Sequence, residues 1–247
     1  ETYGTPSMRT DISAVRRVAV GGGHYLALRA DGTVWAWGSN GAGQLGLGTT
    51  FSNAATSVPV PGLASVAEIA AAGGNSMVVK TDGTVWAWGA NNWGQVGDGS
   101  TTQRLSPVQV SGLTGVTRIT SGGFGERSMA LRADGTVWAW GLNNSGQLGD
   151  GTITTRLAPT LVVGLANVVA IAAGNNHSLA LKSDGTVVAW GDNTYGQLGD
   201  GTGIRRLTAV PVPGLGNVVA LAAGQYHTLA LKSDGTVWAW GDNGQGQ

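Results

Sequence analysis

The sequence predicts an all-β fold in which five similar four-stranded sheets stand side by side as the blades of a propeller. Three observations carry this. The octet Asp-Gly-Thr-Val-Trp-Ala-Trp-Gly starts at Asp31, Asp82, Asp134 and Asp234, and returns at Asp184 with Val188 in place of the first Trp. Its period of 50 to 52 residues belongs to a stacked or circular array. Each period holds four short strand-like runs and no segment long and periodic enough for a helix. A chain of 247 residues fits one such domain, residues 1–247.

Residues 165 to 213 show the elements in order. Leu165 to Gly174 is a short apolar run ended by Gly. Ser178-Leu-Ala-Leu-Lys182 alternates with the strand period. Ser183-Asp184-Gly185 is a hairpin turn in which Gly supplies a positive φ. Thr186 to Gly191 is the return strand, and a long Gly-rich loop, 191–202, follows it. Ala209-Val-Pro-Val-Pro213 closes the unit as a strand whose prolines suit a sheet edge.

In Thr33-Val34-Trp35-Ala36-Trp37 both indoles fall on one face and the small residues on the other. Neither face is charged, so both are expected to be buried between neighbouring blades. Nine of the ten Trp lie in such strands, which assigns them to the core. Thr5-Pro6-Ser7-Met8 aligns with Ala158-Pro159-Thr160-Leu161, the last strand of a blade, and the chain ends just after a third strand. This predicts a five-bladed ring closed by the N- and C-terminal strands, the alternative being part of a seven-bladed ring.

Composition excludes several functions. The 14 basic and 14 acidic residues cancel, and only 11% of the chain is charged, which argues against a nucleic-acid backbone as partner. With no cysteine there is no disulfide scaffold, thiol catalysis or thiolate metal site. No apolar run reaches membrane-spanning length, so membrane insertion is not expected. The first residue is Glu1, so a removed export signal is compatible with the sequence.

The residues able to carry chemistry read as structure. His24, His177 and His227 share one place in their repeats, which Asn75 and Arg127 fill in the others. A position filled repeat after repeat is a bracing hydrogen bond rather than a catalytic base. No carboxylate accompanies it at ligand spacing, so no metal site is expected. Gly41-Ala42-Gly43-Gln44-Leu45-Gly46 matches a dinucleotide fingerprint by letter, but no helix follows it. Asn143 and Asn176 begin glycosylation sequons. Asp98, Asp150 and Asp200 each precede an Arg by six residues, Arg104, Arg156 and Arg206, whereas the first repeat has Leu47 and Asn53 there. Loss of both partners together predicts an Asp–Arg pair pinning the long loop, with two-point contact where geometry allows. Calcium at the Gly-Asp-Gly turns is the alternative. No catalytic residue and no cofactor are assigned.

In an antiparallel blade, loops alternate between the two faces. The loop before the His position and the long loop therefore emerge together. Their variable residues bring Trp93, Phe124, Arg127, Tyr195 and Tyr226 to one rim, Phe124 and Arg127 by way of a two-residue insertion in the third repeat. Trp, Tyr and Arg dominate interface hot spots, so this rim is the expected partner face.

Val169-Ala-Ile-Ala-Ala-Gly-Asn-Asn-His-Ser-Leu-Ala-Leu181 resembles the signature of the regulator of chromosome condensation repeat family, as do 221–231 and Val20 to Leu28. The following Trp-Ala-Trp-Gly-x-Asn-x-x-Gly-Gln-Leu-Gly adds to the match, which covers essentially the whole chain and looks like the bacterial type. The resemblance implies a β-propeller, usually of seven blades. It implies no single function, since members include an exchange factor for a small GTPase, an ultraviolet receptor, a β-lactamase inhibitor and bacterial surface or secreted proteins. The exchange factor's basic tail and the receptor's Arg-framed Trp cluster have no counterpart here. The expectation is a non-enzymatic module, secreted or at a bacterial cell surface, that grips a protein or glycan on the variable rim. The alternatives are a structural module of a larger surface assembly and, less favoured, an enzyme with a channel site.

Overall fold

The computed structural model describes residues 8–50 and 53–246. Among the described residues every regular element is a strand. Blade one is β1 (Val15–Val20), β2 (His24–Arg29), β3 (Val34–Gly38) and β4 (Ala54–Pro59). Blade two is β5 (Val66–Ala72), β6 (Asn75–Lys80), β7 (Val85–Gly89) and β8 (Arg104–Gln109). Blade three is β9 (Val116–Ser121), β10 (Arg127–Arg132), β11 (Val137–Gly141) and β12 (Arg156–Leu161). Blade four is β13 (Val168–Ala173), β14 (His177–Lys182), β15 (Val187–Gly191) and β16 (Arg206–Pro211). Blade five contributes β17 (Val218–Ala223), β18 (His227–Lys232) and β19 (Val237–Gly241) among the described residues.

Within each blade the strands pair antiparallel in chain order. The first strands pack on one another in succession, β1 on β5, β5 on β9, β9 on β13 and β13 on β17, so they lie nearest the axis. The fourth strands form the outer edge, where Pro59 and Pro211 can lack an N–H without breaking a ladder. The fourth strand of blade four starts at Arg206, three residues before the sequence pattern does, because Arg206 pairs with Gly191 beyond a bulge.

The hairpins are built as the octet implies. Asp82 Oδ1 accepts from the Thr84 amide (2.9 Å) and hydroxyl (2.6 Å), and Gly83 takes the positive φ. The same Asp–Thr bonds recur at Asp31, Asp134, Asp184 and Asp234.

What joins the blades is the long loop. Asn143 Oδ1 accepts from Leu148 N (2.9 Å), and Gln147 Oε1 from Ser145 N (2.7 Å), so the loop is held by its own amides. That leaves the Gln147 carbonyl facing the next blade, where it accepts from Ser178 Oγ (2.9 Å) and Trp190 Nε1 (3.0 Å). The same clasp is made by Gln44 with Ser76 and Trp88, by Gln95 with Ser128 and Trp140, and by Gln197 with Thr228 and Trp240. Leu45, Val96, Leu148 and Leu198, next to each Gln, are buried in the core. This accounts for Asn-x-x-Gly-Gln-Leu-Gly position by position. The last Gly seats the neighbour's indole: a Cβ on Gly149 would stand 2.7 Å from Trp190 Nε1.

Core burial of the nine strand Trp is met only in part. Trp88, Trp140 and Trp190 of the second column are fully buried, but Trp37 and Trp240 of that column and Trp35, Trp86 and Trp138 of the first are half-buried, and Trp238 is exposed. The neighbour's clasping loop reaches the second Trp alone. The first is covered by the cation ending strand two, as where Lys80 Nζ lies 5.0 Å from the Trp86 ring centroid. The small face is buried in the first four blades, with Ala36, Ala87, Ala139 and Ala189 at 0% exposure, whereas Val237 and Ala239 of blade five are exposed.

The expected closure strand, Thr5 to Ser7, lies outside the described residues; Met8 is described and belongs to no strand. The packing of first strands that joins blades one to five is not repeated between β17 and β1. Val18 and Val20 in blade one, and Val237 and Trp238 in blade five, are exposed.

Gly149→Ala is expected to lower the unfolding free energy by roughly 2 kcal/mol or more, since it adds a Cβ clash to a positive φ. Ser178→Ala, which removes one hydroxyl from the clasp, is expected to cost about 1 kcal/mol. Urea unfolding of both variants beside wild type checks the order.

Candidate partner-binding face

The loops between first and second strands are tied around the axis by backbone bonds from blade to blade. Gly22 N donates to Gly73 O (2.8 Å), Gly123 N to Gly174 O (3.0 Å) and Asn175 N to Gln225 O (3.1 Å). The insertion of blade three leans back over blade two: any Cβ on Gly73 would collide with the Phe124 carbonyl. Phe124 thereby projects outward, 57% exposed.

Trp93 (43%) and Tyr195 (52%) occupy equivalent places in the long loops and are exposed as expected. Their backbone amides donate to Gln95 Oε1 (2.9 Å) and Gln197 Oε1 (2.8 Å), so each stands on a braced turn. Tyr226 is half-buried beneath Tyr195, with centroids 5.3 Å apart and ring planes at 48°. Asn175 Nδ2 donates to the Tyr226 hydroxyl at 3.4 Å. The structure therefore brings Tyr195 and Tyr226 into contact across the junction of blades four and five. The corresponding pair at the first junction is bare, Ala42 against Gly74.

Arg127 is not on the rim. It is 1% exposed, and its Nη2 donates to His177 O (2.5 Å) and Gly174 O (3.1 Å) of blade four. It stands at the His position at the start of β10, and its length lets it bridge the junction by another route. Burial lowers its pKa, and its Nε finds no partner. Its alignment with the histidine column, where His24, Asn75 and His177 are buried, is the sequence signal that outweighs its nearness to the loop.

The histidines brace the clasp. His24 Nε2 lies 2.8 Å from Ser76 Oγ, and His177 Nε2 lies 3.1 Å from Thr228 Oγ1. Each hydroxyl gives its single proton to a Gln carbonyl, so each ring donates from Nε2 and leaves Nδ1 without a partner. The Ser76–His24 pair has the look of a nucleophile and base. Both are fully buried and the hydroxyl proton is committed to Gln44 O, so the pair is structural. His227 holds the same place in β18, half-buried, with no blade beyond it among the described residues.

The Asp–Arg pairs exist at all three positions, at 2.5 Å for Asp98–Arg104 and 2.7 Å for Asp150–Arg156 and Asp200–Arg206. They are one-point contacts through Nε. The guanidinium Nη2 turns to a hydroxyl, Thr152 Oγ1 at 3.4 Å in the second pair, because Asp150 Oδ1 is taken by the Thr152 amide and hydroxyl. Burial alone would raise the Asp150 carboxyl; the Thr152 hydroxyl and Arg156 outweigh it and hold it below the ordinary range. These carboxylates are thus engaged by protein donors. Among the described residues no group of three or more His, Asp or Glu could hold a metal. Asn143 is fully buried and bonds Asp150, which removes it as a glycan acceptor; Asn176 is half-buried.

Two outcomes follow. A double-mutant cycle on Asp150→Ala and Arg156→Ala should give a coupling of about 0.5–1.5 kcal/mol; simple additivity would remove the pin. Burial first of all lowers the pKa of His24 from 6.5 to about 4, and that of His177 from 6.5 to about 3. Unfolded histidines bind protons that the folded rings refuse, so stability is full above pH 6.5 and falls as pH drops toward 4. Denaturation midpoints between pH 7 and 5 should show this, and His177→Asn should flatten the slope.

Comparison with known proteins agrees with this geometry. Models of the regulator of chromosome condensation (RCC1) repeat match residues 31–79, 82–126, 134–181 and 184–231, and a second such model matches 15–44, 116–147, 168–197 and 218–247. The chain is 36% identical to human HERC3, named a probable E3 ubiquitin-protein ligase, over 66% of this chain and 16% of that protein. It is 32% identical to RUG3, a mitochondrial RCC1 domain-containing protein of Arabidopsis thaliana, over 66% of this chain and 38% of that one. The structure of human WBSCR16 superposes with a TM-score of 0.82 at 26% identity, covering 92% of this chain and 62% of that chain. Yeast RCC1 (Prp20), solved bound to Kap60, gives 0.77 at 28% identity, covering 92% and 56%. The chain thus spans less than two thirds of each of these proteins. Repeat, clasp and superposition agree: this chain belongs to the RCC1 repeat family and is built as its β-propellers are.

Proposed function

We propose that the chain is a non-enzymatic binding module that presents its variable loop face to a protein or glycan partner, secreted or at a cell surface. One observation carries this. Trp93, Phe124 and Tyr195 are large and exposed on one face, and Trp93 and Tyr195 stand on braced turns of loops whose repeated residues are occupied by structure. Exposed aromatics on a preorganised backbone lose little entropy on binding. The nature of the similar structures supports a protein partner: Prp20 is solved with Kap60, and a second yeast Prp20p structure is described with its binding to Gsp1p and histones. The ligase name of HERC3 belongs to a protein of which the match covers 16%, so ligation is not part of this reading.

A second reading is a structural module within a larger assembly. The clasp that joins blade to blade at four successive junctions favours it.

Capture from native lysate and on a glycan array distinguishes the two. Wild type should retain a partner that Trp93→Ala/Tyr195→Ala of equal thermal stability loses. A partner retained equally by both moves the site off this face, and capture by neither leaves the assembly reading.

A further inference from the structure

The departures from the repeat pattern are not spread evenly over the loop face. The residue after the third strand is Ser39, Ala90 and Leu142 in the first three blades, then Asp192 and Asp242 in the last two. The long-loop position of Tyr195 is Ala42 and Ser145 in two other blades, and the position of Tyr226 is Gly23 and Gly74 in two others. Two aromatic rings therefore meet at the junction of blades four and five, and an acid follows the third strand in both blades that form it.

Their geometry is fixed. Asp192 Oδ1 accepts from Thr194 Oγ1 (2.7 Å) and Oδ2 from Gln197 Nε2 (2.9 Å), which orients the carboxylate on the turn that carries Tyr195. The Asp242 backbone amide donates to the Tyr226 carbonyl (2.9 Å), and its Oδ1 accepts from Gly244 N (3.1 Å). Tyr195 is 52% exposed, and the rings are too close for anything to enter between them. A ligand must lie on their outer surface. The charge around them is mainly acidic. Asp98, Asp150 and Asp200 are matched by arginines, and Glu126 and Asp192 are further acids of this face. The single basic residue in these loops is Arg205, at the outer end of the long loop of blade four. Arg127 is buried against carbonyls, and burial keeps His177 neutral.

We propose that the Tyr195–Tyr226 surface takes a lysine or arginine side chain from a basic, extended segment of a protein partner. The cation lies over the Tyr195 ring face, and Asp192 supplies the opposite charge. By repeat register Trp93 and Glu126 are the counterparts of Tyr195 and Tyr226 at the junction of blades two and three. A segment crossing the axis thus meets a second aromatic residue paired with an acid. This rests on the partner-face reading above and names the chemistry of that partner.

The test is fluorescence anisotropy with a labelled short peptide alternating glycine with lysine and arginine. Its controls are the same peptide with acetyl-lysine and citrulline, and a panel of neutral oligosaccharides. Wild type should bind the basic peptide alone, and more weakly as salt rises. Tyr195→Ala and Asp192→Asn, each with an unchanged thermal midpoint, should bind about tenfold more weakly. Equal binding of the neutralised peptide, binding of a neutral oligosaccharide instead, unchanged affinity in Tyr195→Ala, or no binding of the basic peptide would each overturn the proposal. If the basic peptide fails while Trp93→Ala/Tyr195→Ala still loses a captured partner, the face stands and the basic chemistry falls. If that partner is also retained, both fall.

Discussion

No blade can bury its own second tryptophan. The indole carries an N–H that must find an acceptor when it leaves water, and a four-stranded sheet has spent its backbone acceptors on its own ladders. The acceptor is the Gln carbonyl of the preceding blade, and the hydroxyl of a Ser or Thr shares it. The loop that presents that carbonyl must be rigid, hence the Asn and Gln amides that brace it. It must also approach the indole closely, hence the Gly that follows. Most of the repeated residues answer to this one requirement, and so does the histidine that donates to the shared hydroxyl.

The requirement also explains where variability is permitted. Residues 92–93, 144–145 and 194–195 lie between the bracing Asn and the Gly of each long loop. Their backbone is held by the Gln side chain, and none of their side chains takes part in the clasp of carbonyl, hydroxyl and indole. Asn92, Trp93, Asn144, Thr194 and Tyr195 are all exposed. A scaffold that determines backbone positions so fully can carry aromatic residues in solvent without loss of order. The face they form therefore differs chemically from junction to junction while the junctions themselves stay alike.

The fold was legible because the clasp residues are the repeated residues, and repetition is visible in a single sequence. Strand order, the Asp–Gly turns and the structural role of the histidines followed from it. Trp93, Phe124 and Tyr195 were legible as exposed because they break the pattern inside loops. Arg127 broke the pattern too, but at a buried position, where a long side chain replaced a ring by finding different acceptors in the next blade. Pattern alone does not tell these cases apart; the column in which the change occurs does. The half-exposure of Trp86 and Trp138 was hidden for another reason. Both octet tryptophans have the same parity, and only the reach of the neighbouring loop separates them. The second contact point of the Arg in each Asp–Arg pair was equally invisible, since it depends on a Thr hydroxyl already bound to the same Asp.

The clasp has a direction: each unit offers its carbonyl forward and its indole and hydroxyl backward. Both halves are encoded within one period, so near-identical octets are natural points for unequal recombination. Exchange between the octets at Asp82 and Asp134 would delete one whole blade in phase. It would set Trp140 where Trp88 stands, beneath the Gln44 carbonyl, and leave the next junction untouched. Trp93 and Phe124 would vanish while Tyr195 and Tyr226 remained. In such a chain, loss and gain of recognition surface can proceed by whole units, at little cost to the folding of what is left.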